Sequence, residues 1–231
     1  MTSQKELIIE LLHHGVDPFA FYVPNRSNVD PQGWNSNHPY LQRAIQEILP
    51  KTVLEVGVWK GGSVVTMASK LKSMQVDGGV IAVDTFRGSP EHWCNPDLWK
   101  LMNVKDGIPG LYDAFMSNVV SKNLQDYVAP LPVDSITAYE ICKRKGVAID
   151  LIHIDAGHEY ESVAKDLHMW SQLLREGGII IMDDYDWDDE KQVAKSWGGV
   201  AQAVNEYVAG NAEKVLFEHA NGKCIISFIQ S

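Results

Sequence analysis

The sequence has little positive charge, few cysteines and no long apolar run. Its 20 lysines and arginines stand against 30 aspartates and glutamates, which gives a formal charge of −10. Because nucleic-acid-binding proteins usually carry a basic patch, this balance argues against a nucleic-acid partner. No apolar stretch reaches the roughly 18 residues that a membrane-spanning helix needs, so we predict no membrane partner either.

The cysteines and the first residues bear on the cellular compartment. Cys94, Cys142 and Cys224 are far apart in the chain and match no metal-finger spacing. The opening run, MTSQKELIIELLHHG, is too polar for a signal peptide. We therefore expect a cytoplasmic protein whose reduced cysteines have structural or surface roles.

Several phosphate-binding and nucleophile motifs are also missing. In the run LEVGVWKGGS, Trp59 stands where the dinucleotide fingerprint G-x-G-x-x-G needs its middle glycine. No Gly-Lys-Ser/Thr follows it, so the run is not a Walker loop. The chain also lacks G-x-S-x-G and a cysteine with an adjacent histidine. We therefore predict no covalent nucleophile, and Trp59 argues against an oxidoreductase.

From about residue 50 onwards, apolar runs of strand length alternate with amphipathic helical segments. The predicted strands cover residues 52–56, 78–84, 127–133, 149–155, 179–183, 214–220 and 223–229. The predicted helices cover residues 3–14, 39–49, 63–74, 135–145, 163–178 and 199–210. Alternation of this kind indicates a parallel sheet covered on both faces, and Asn221-Gly222 is a strong hairpin signal. We predict an α/β protein with a Rossmann-like, doubly wound, mostly parallel seven-stranded sheet and a C-terminal antiparallel hairpin strand at one edge.

The chain shows no linker, repeat or low-complexity segment, so residues 1–231 are predicted to form a single domain. Residues 1–50 form an N-terminal helical and aromatic extension in this prediction. Residues 85–110, rich in Trp, His, Pro and Asn, interrupt the alternation after the second strand. Since this insertion follows the carboxyl end of a strand, we expect it to act as a lid over a ligand crevice.

Acidic residues stand at the carboxyl ends of three of the predicted strands. Asp84 closes the second strand, Asp155 closes the fourth, and Asp183 and Asp184 close the fifth. Ligands of open α/β sheets bind beyond these strand ends. The last three acids would repel one another unless a proton or a hard cation offset their charge.

The turn after the first strand has the residues of a ligand-binding turn. Gly57 and Gly61 allow a close approach of the backbone, and Ser63 can open a helix whose first N–H groups are free. Glu55, two residues before the first glycine, would repel a pyrophosphate but suits a bound ammonium. Asp84 is suited to binding ribose hydroxyls.

Together, E-x-G-x-x-x-G, Asp84, IDLIHID and GGIIIMDD resemble the class I S-adenosylmethionine-dependent methyltransferases, over nearly the whole of residues 50–230. The three later acids resemble those of the magnesium-dependent O-methyltransferases of the cephamycin and macrolide-tailoring kind. The resemblance implies a transferase of small-molecule biosynthesis that methylates a hydroxyl, with S-adenosyl-L-methionine as cofactor and Mg²⁺ or another divalent cation.

The resemblance also implies roles for individual residues. The cofactor would be bound by Glu55, Gly57, Gly61, Ser63, Asp84, Asp134 and Ser135, the last two beside the adenine. The metal would be held by Asp155, Asp183 and Asp184. For the small-molecule substrate, we expect contacts from His92 and Trp93 in the lid and from Tyr185.

His158 departs from the pattern of the catechol-type relatives. In those enzymes a catalytic lysine follows the metal-binding acid of the fourth strand by three residues, whereas this chain reads Asp-Ala-Gly-His. A histidine titrates near neutrality, so His158 could accept the substrate proton. Asp155 is the alternative base, and His158 could instead orient the substrate or cap the following helix.

Other interpretations stay open at this point. Asp183-Asp184 could be a plain strand exit that leads into the acidic run at residues 186–190, and the glycines a simple βα turn. The protein could transfer methyl groups to nitrogen or carbon without a metal, or it could be a non-catalytic cofactor-binding relative. The aromatic residues of the N-terminal extension could close over the cofactor or form a contact in a homo-oligomer.

Overall fold

The computed structural model describes residues 2–30, 32–185 and 198–229, and its strands form one mixed sheet. The strands are β1 Thr52–Val56, β2 Gly79–Val83, β3 Val128–Leu131, β4 Ile149–Ile154, β5 Leu174–Met182, β6 Val215–Ala220 and β7 Lys223–Phe228. Their order in the seven-stranded sheet is β3-β2-β1-β4-β5-β7-β6. The pairs among β1 to β5 are parallel, whereas β7 is antiparallel to both β5 and β6.

The predicted fold class is confirmed, including the C-terminal hairpin. The hairpin turns at Asn221-Gly222, where both residues have positive φ, 52° and 87°. It inserts its antiparallel strand β7 next to β5, and β6 forms the outer edge. This arrangement brings the first residue of β7 beside the end of β5.

Helices cover both faces of the sheet. In the described part of the chain they are α1 Gln4–His13, α2 Pro39–Ile48, α3 Gly62–Ser73, α4 Pro90–Cys94, α5 Pro96–Leu101, α6 Leu111–Ser121, α7 Ser135–Arg144, α8 Tyr160–Ser171 and α9 Gly198–Gly210. Side chains of β1 alternate between the faces, with Leu54 and Val56 in one core and Val53 in the other. The first core also holds residues of α1, α7, α8 and α9, and the second holds residues of α2, α3 and α6. None of the helices in the described residues combines the length and apolar character of a membrane span.

The helix predicted for residues 163–178 is wrong at its end. Helix α8 ends at Ser171, and residues 174–178 belong to β5 instead. The pairing of β4 with β5 shifts here, because Ile149 pairs with Leu174 but Leu151 pairs with Ile179. Gly177, with φ 74°, lies in this irregular stretch. The glycines therefore accommodate a bulge in a strand, not the end of a helix.

Helix α7 does not use Ser135, the first residue of the predicted helix, as its N-cap. Asp134 is the N-cap, and its carboxylate accepts a hydrogen bond from the Thr137 amide at 3.0 Å. Ser135 is the first helical residue. Its hydroxyl donates to Asp166 at 2.5 Å and accepts from the Trp170 indole at 2.9 Å, so it joins α7 to α8.

The insertion contains two helices, and the N-terminal extension makes contacts, that were not predicted from the sequence. Two short helices, α4 and α5, lie within residues 85–110, and each starts with a proline directly after a Ser or Asn cap. In the extension, the Tyr22 hydroxyl donates to Asp113 at 2.6 Å, and Lys60 pairs with Asp30 at 2.6 Å. The extension is thereby tied to α6 and to the turn after β1.

Candidate active site

The candidate site lies at the carboxyl ends of β1, β4 and β5, where the strand order reverses. After β1 the chain runs towards β2 and β3, whereas β4 and β5 extend the other side of the sheet. The strand ends stay in register, because the amides of Gly57, Asp155 and Asp183 donate to Val83, Val56 and Ile154. A reversal of this kind opens the crevice in which α/β proteins bind ligands.

The turn after β1 depends on two glycines. Gly57 has φ 86°, and a Cβ atom there would lie 1.9 Å from the carbonyl oxygen of Asp155. Gly61 has φ 84°, and its Cβ would lie 2.6 Å from the ring of Phe115. Only glycine allows both this backbone conformation and this close packing of the β1 and β4 ends. The turn leads into α3, which has no side-chain N-cap hydrogen bond.

Asp84 binds the backbone of the same turn. Its Oδ2 atom accepts from the amides of Val58 and Trp59 at 2.8 and 2.9 Å, and Oδ1 accepts from Phe86 at 2.6 Å. A carboxylate has about four acceptor positions, and these amides use three of them. Asp84 therefore holds the turn in place and retains roughly one position for a ligand hydroxyl.

Glu55 and Ser63 lie beneath the turn. Glu55 is fully buried and accepts a hydrogen bond from the Ser63 hydroxyl at the start of α3. Burial raises the pKa of Glu55 to about 8, although the hydrogen bond from Ser63 lowers it. Among the described residues, Glu55 Oε2 and His153 Nδ1 have no hydrogen-bond partner, and they face each other at 3.7 Å.

The acids predicted to hold a metal divide into two groups that share Asp155. One group contains His153, Asp155 and Asp183, and the other contains Asp155, His158 and Asp184. Within each group the candidate ligand atoms lie within 4.8 Å of one another. Burial and the neighbouring charge of Asp183 raise the pKa of Asp155 well above its usual value. This is the repulsion that the sequence led us to expect.

Asp183 already has a cationic partner. It is 5% exposed, and its Oδ2 atom accepts a hydrogen bond from the ammonium of Lys223, which is fully buried. The Lys223 Nζ atom also lies 3.3 Å from Nε2 of His153. Burial, together with the charge of Lys223, lowers the pKa of His153 to about 3. The His153 imidazole is therefore neutral and can accept a hydrogen bond from Lys223.

His158 pairs with Asp184. Its Nε2 atom is 3.0 Å from Asp184 Oδ2, and its Nδ1 atom is 4.0 Å from Glu91 in α4. Burial lowers the pKa of His158, but the hydrogen bond and charge of Asp184 outweigh it, so the net shift is upward. Asp184 has φ 57°, a left-handed conformation that follows directly on β5. The base candidate and a ligand candidate are thus in direct contact.

The predicted substrate residues lie in different places. The His92 ring stacks on Trp59, with centroids 4.4 Å apart and planes at 25°, so this part of α4 covers the glycine turn. Trp93 is 46% exposed and donates to the Arg87 carbonyl at 2.8 Å. The Tyr185 hydroxyl donates to Asn205 of α9 at 2.7 Å. Of the three, His92 is the one in direct contact with the turn.

The residues predicted beside the adenine follow β3. Asp134 is exposed and its carboxylate caps α7, where it accepts from both the amide and the hydroxyl of Thr137. The Ser135 side chain takes part in the contact between α7 and α8. Asp134 thus lies at a strand end like the other candidates, while the Ser135 hydroxyl is committed to packing.

Two residues of the site were not predicted from the sequence, Lys223 and His153. Both had a signal in the alternation of their strands, because Lys223 shares a face with the buried Ile225, and His153 shares one with Leu151. A charged or polar residue at an inward position of an apolar strand needs a partner. The partner itself was not visible, since β5 and β7 are distant in the chain.

A family model described as a methyltransferase domain matches residues 54–185. No curated protein matches the chain in a sequence comparison.

Solved structures with the same fold include several O-methyltransferases. The O-methyltransferase NovP aligns with a TM-score of 0.61 and 20% identity, over 98% of each chain. An O-methyltransferase from Bacillus cereus in complex with SAH aligns with a TM-score of 0.57 and 18% identity, over 98% of this chain and 90% of that one. The O-methyltransferase TomG from Streptomyces achromogenes, in complex with SAM and involved in tomaymycin synthesis, aligns with a TM-score of 0.58 and 11% identity. The alignment covers 100% of this chain and 97% of that one.

The family match begins within β1, includes the glycine turn and Asp155, and ends at Tyr185, just past Asp183 and Asp184. The sequence resemblance predicted this family from the same residues. The chain belongs to the methyltransferase domain family and has the fold of the class I S-adenosylmethionine-dependent methyltransferases.

Proposed function

We propose that this protein transfers the methyl group of S-adenosyl-L-methionine to a hydroxyl group of a small molecule, with the help of a divalent cation. The observation that carries the proposal is the group of Asp155, His158 and Asp184 at the ends of β4 and β5. It brings carboxylate ligands and a base candidate together beside the glycine turn. O-methyltransferases among the structural neighbours, and one described in tomaymycin synthesis, support the choice of acceptor.

The cofactor is proposed to bind along the turn after β1. Gly57 and Gly61 let the turn pack closely against Asp155 and Phe115. Glu55 and Ser63 are hydrogen-bonded to each other at the start of α3, and Asp84 offers an acceptor for a ribose hydroxyl. Asp134 and Ser135 at the start of α7 are proposed to flank the adenine. The bound cofactor supplies an electrophilic methyl group, so the protein needs no covalent nucleophile, and positioning provides most of the rate enhancement.

Asp155 and Asp184 are proposed as the main ligands of a divalent cation, with Asp183 as a further ligand. The donor set fits, because these acids are oxygen ligands and repel one another in the absence of a counter-charge. The nearby imidazole of His158 makes Mn²⁺ as suitable a probe as Mg²⁺. A bound cation would lower the pKa of the acceptor hydroxyl. The chemistry that remains for the chain is to remove that proton.

His158 is proposed as the general base. Asp184 fixes the orientation of its ring through the 3.0 Å contact, as an orienting carboxylate does for other catalytic histidines. Asp155 is the alternative base, but it is also a proposed ligand of the divalent cation. His92 stacked on Trp59 is proposed to contact the acceptor from the lid, with Trp93 and Tyr185 as further candidates.

A metal-independent methyltransferase is the second candidate, and the acceptor atom would then be nitrogen or carbon. The contact of the Lys223 ammonium with Asp183 favours it, because the site contains a cation of its own. The two candidates are separated by measuring methyl transfer to a panel of small phenols, catechols, sugars and amines, with identification of the methylated atom, in the presence of Mg²⁺ or of EDTA. Metal-assisted transfer requires that EDTA and Asp184→Ala each reduce the rate at least tenfold. Transfer that both treatments leave unchanged would establish the second candidate.

The remaining predictions concern the surroundings of the enzyme. A small-molecule acceptor, and not a nucleic acid, is proposed from the formal charge of −10. The cytoplasmic location stays a prediction from the sequence. A homo-oligomer stays a prediction as well; Phe21 and Val23 in the N-terminal extension are 93% and 84% exposed, and these apolar side chains suit such a contact.

A further inference from the structure

Lys223 is an ammonium in the interior of the protein. It is the first residue of β7, directly after the hairpin turn, and its side chain is fully buried. The pairing of Met182 with Cys224 places Lys223 beside Asp183, the residue after β5. Because an unpaired buried ammonium is strongly unfavourable, the contact with Asp183 is a condition for this residue to be tolerated at all.

The surroundings of Lys223 are rich in acceptors. Its Nζ atom donates to Asp183 and lies 3.3 Å from the neutral His153 imidazole. Asp155 and Glu55 also sense its charge, since Lys223 lowers the pKa of each. The charge of Lys223 therefore reaches Asp155 and Glu55 as well as its direct partner Asp183.

We infer that Lys223 is a built-in counter-cation of the acidic cluster formed by Asp155, Asp183 and Asp184. The lysine ammonium binds Asp183 and thereby weakens the binding of a divalent ion to the cluster. The inference deepens the proposed function and rests on it, because it concerns the same cation site. Asp183 belongs to the group that contains His153 and Asp155, and its Oδ1 atom accepts a hydrogen bond from the Asp184 amide at 2.9 Å. An ammonium held there offsets the charge of Asp183 and leaves Asp155 and Asp184 as the main ligands for a divalent ion.

Lys223 is thus a positioning residue that lowers the affinity of the site for a divalent cation. A positive charge in contact with Asp183 repels a divalent cation bound next to it, and burial reduces the screening of this repulsion. If the charge is removed, the three acids have only a divalent ion to offset them. The loss of Lys223 should therefore strengthen divalent binding, whereas the loss of an ordinary structural residue would weaken it.

The test is a Mn²⁺ titration of the full chain, in which free Mn²⁺ is measured by electron paramagnetic resonance. The wild type is compared with Lys223→Met and with Lys214→Met, which removes an exposed lysine just before β6. We expect the Mn²⁺ dissociation constant of Lys223→Met to be at least tenfold lower than that of the wild type, and Lys214→Met to match the wild type. Equal or weaker binding by Lys223→Met overturns the inference.

Lys223→Arg tests the charge itself and covers the case in which the methionine variant does not fold. Its Mn²⁺ affinity should stay within about threefold of the wild type, because the positive charge is retained, and affinity as high as that expected for Lys223→Met would overturn the inference. If Lys223→Met is unfolded in EDTA, refolding by Mn²⁺ but not by equal ionic strength of NaCl supports the inference, and no refolding overturns it.

The outcomes also separate the inference from the proposed function. If the wild type binds Mn²⁺ as tightly as Lys223→Met or more tightly, the role of Lys223 is refuted and the metal-assisted reaction is unaffected. Mn²⁺ binding by Lys223→Met alone supports the role of Lys223 and removes the metal from the wild-type reaction. Binding by neither protein overturns both.

Discussion

At the scale of single residues, His158 is the side chain whose removal should separate catalysis from binding. It pairs with Asp184 after β5 and faces Glu91 of α4, and it is proposed to act on the acceptor and not on the cofactor, so His158→Ala should leave the affinity for S-adenosylhomocysteine unchanged. The turnover number should fall by about 10²–10⁴-fold, the usual contribution of a general base, while KM changes little. His168→Ala, an exposed histidine on α8, is the matched control and should retain full activity. A turnover number within threefold of the wild type would move the role of base to Asp155.

Glu55 gives a prediction about stability and pH. Its folded-state pKa of about 8 lies above the value of 4.5 expected for the unfolded chain, because burial disfavours the charged carboxylate. The folded state therefore binds the proton more tightly, and the Glu55 contribution to stability is complete below pH 4.5 and is lost as the pH rises towards about 8. Glu55→Gln stays neutral, so its free energy of unfolding should increase relative to the wild type across this range, by a few kcal/mol on the order-of-magnitude scale of such shifts.

Urea denaturation of the ligand-free protein in EDTA, at pH values from about 4.5 to 8.5, measures this difference. Glu213→Gln, which removes an exposed carboxylate, is the matched control and should show a difference that does not depend on pH. A difference between Glu55→Gln and the wild type that stays constant over the range would show that Glu55 is ionised in the folded protein.

At the scale of elements, the turn after β1 joins two strand ends through a glycine. Gly57→Ala would place a Cβ atom 1.9 Å from the Asp155 carbonyl, and both partners in the clash belong to the backbone. Relief requires the ends of β1 and β4 to separate, so the loss of stability should exceed about 4 kcal/mol. Gly146→Ala is the control, since Gly146 also has positive φ (66°) but has nothing within 4 Å of its Cβ position; it should lose only about 1–2 kcal/mol. Similar unfolding midpoints in urea for the two variants would contradict this account.

The elements also show how far the sequence was informative. Strands such as β1 and β4 were predictable because buried parallel strands are short, continuous apolar runs, and the hairpin because Asn-Gly favours its turn. The start of β5 was not predictable, because Gly177-Gly178 at the end of an amphipathic stretch suits a helix end as well as a bulge. Asp84, Asp155, Asp183 and Asp184 were predictable as strand-end acids because each lies at the end of an apolar run of strand length. Lys223 was missed because its contact with Asp183 depends on an antiparallel register across 40 residues of sequence.

At the scale of the whole molecule, we expect the seven-stranded sheet to unfold as one unit, so a ligand bound at its crevice should stabilise all of it. At a concentration of S-adenosylhomocysteine about 100 times its dissociation constant, binding adds about 2.7 kcal/mol to the free energy of unfolding. For a chain of this size that corresponds to an increase in melting temperature of roughly 5–11 °C. NAD at the same concentration should leave the melting temperature unchanged, because Trp59 replaces a glycine that the dinucleotide turn requires. Differential scanning calorimetry measures both ligands, and stabilisation by NAD but not by S-adenosylhomocysteine would refute the assignment of the cofactor.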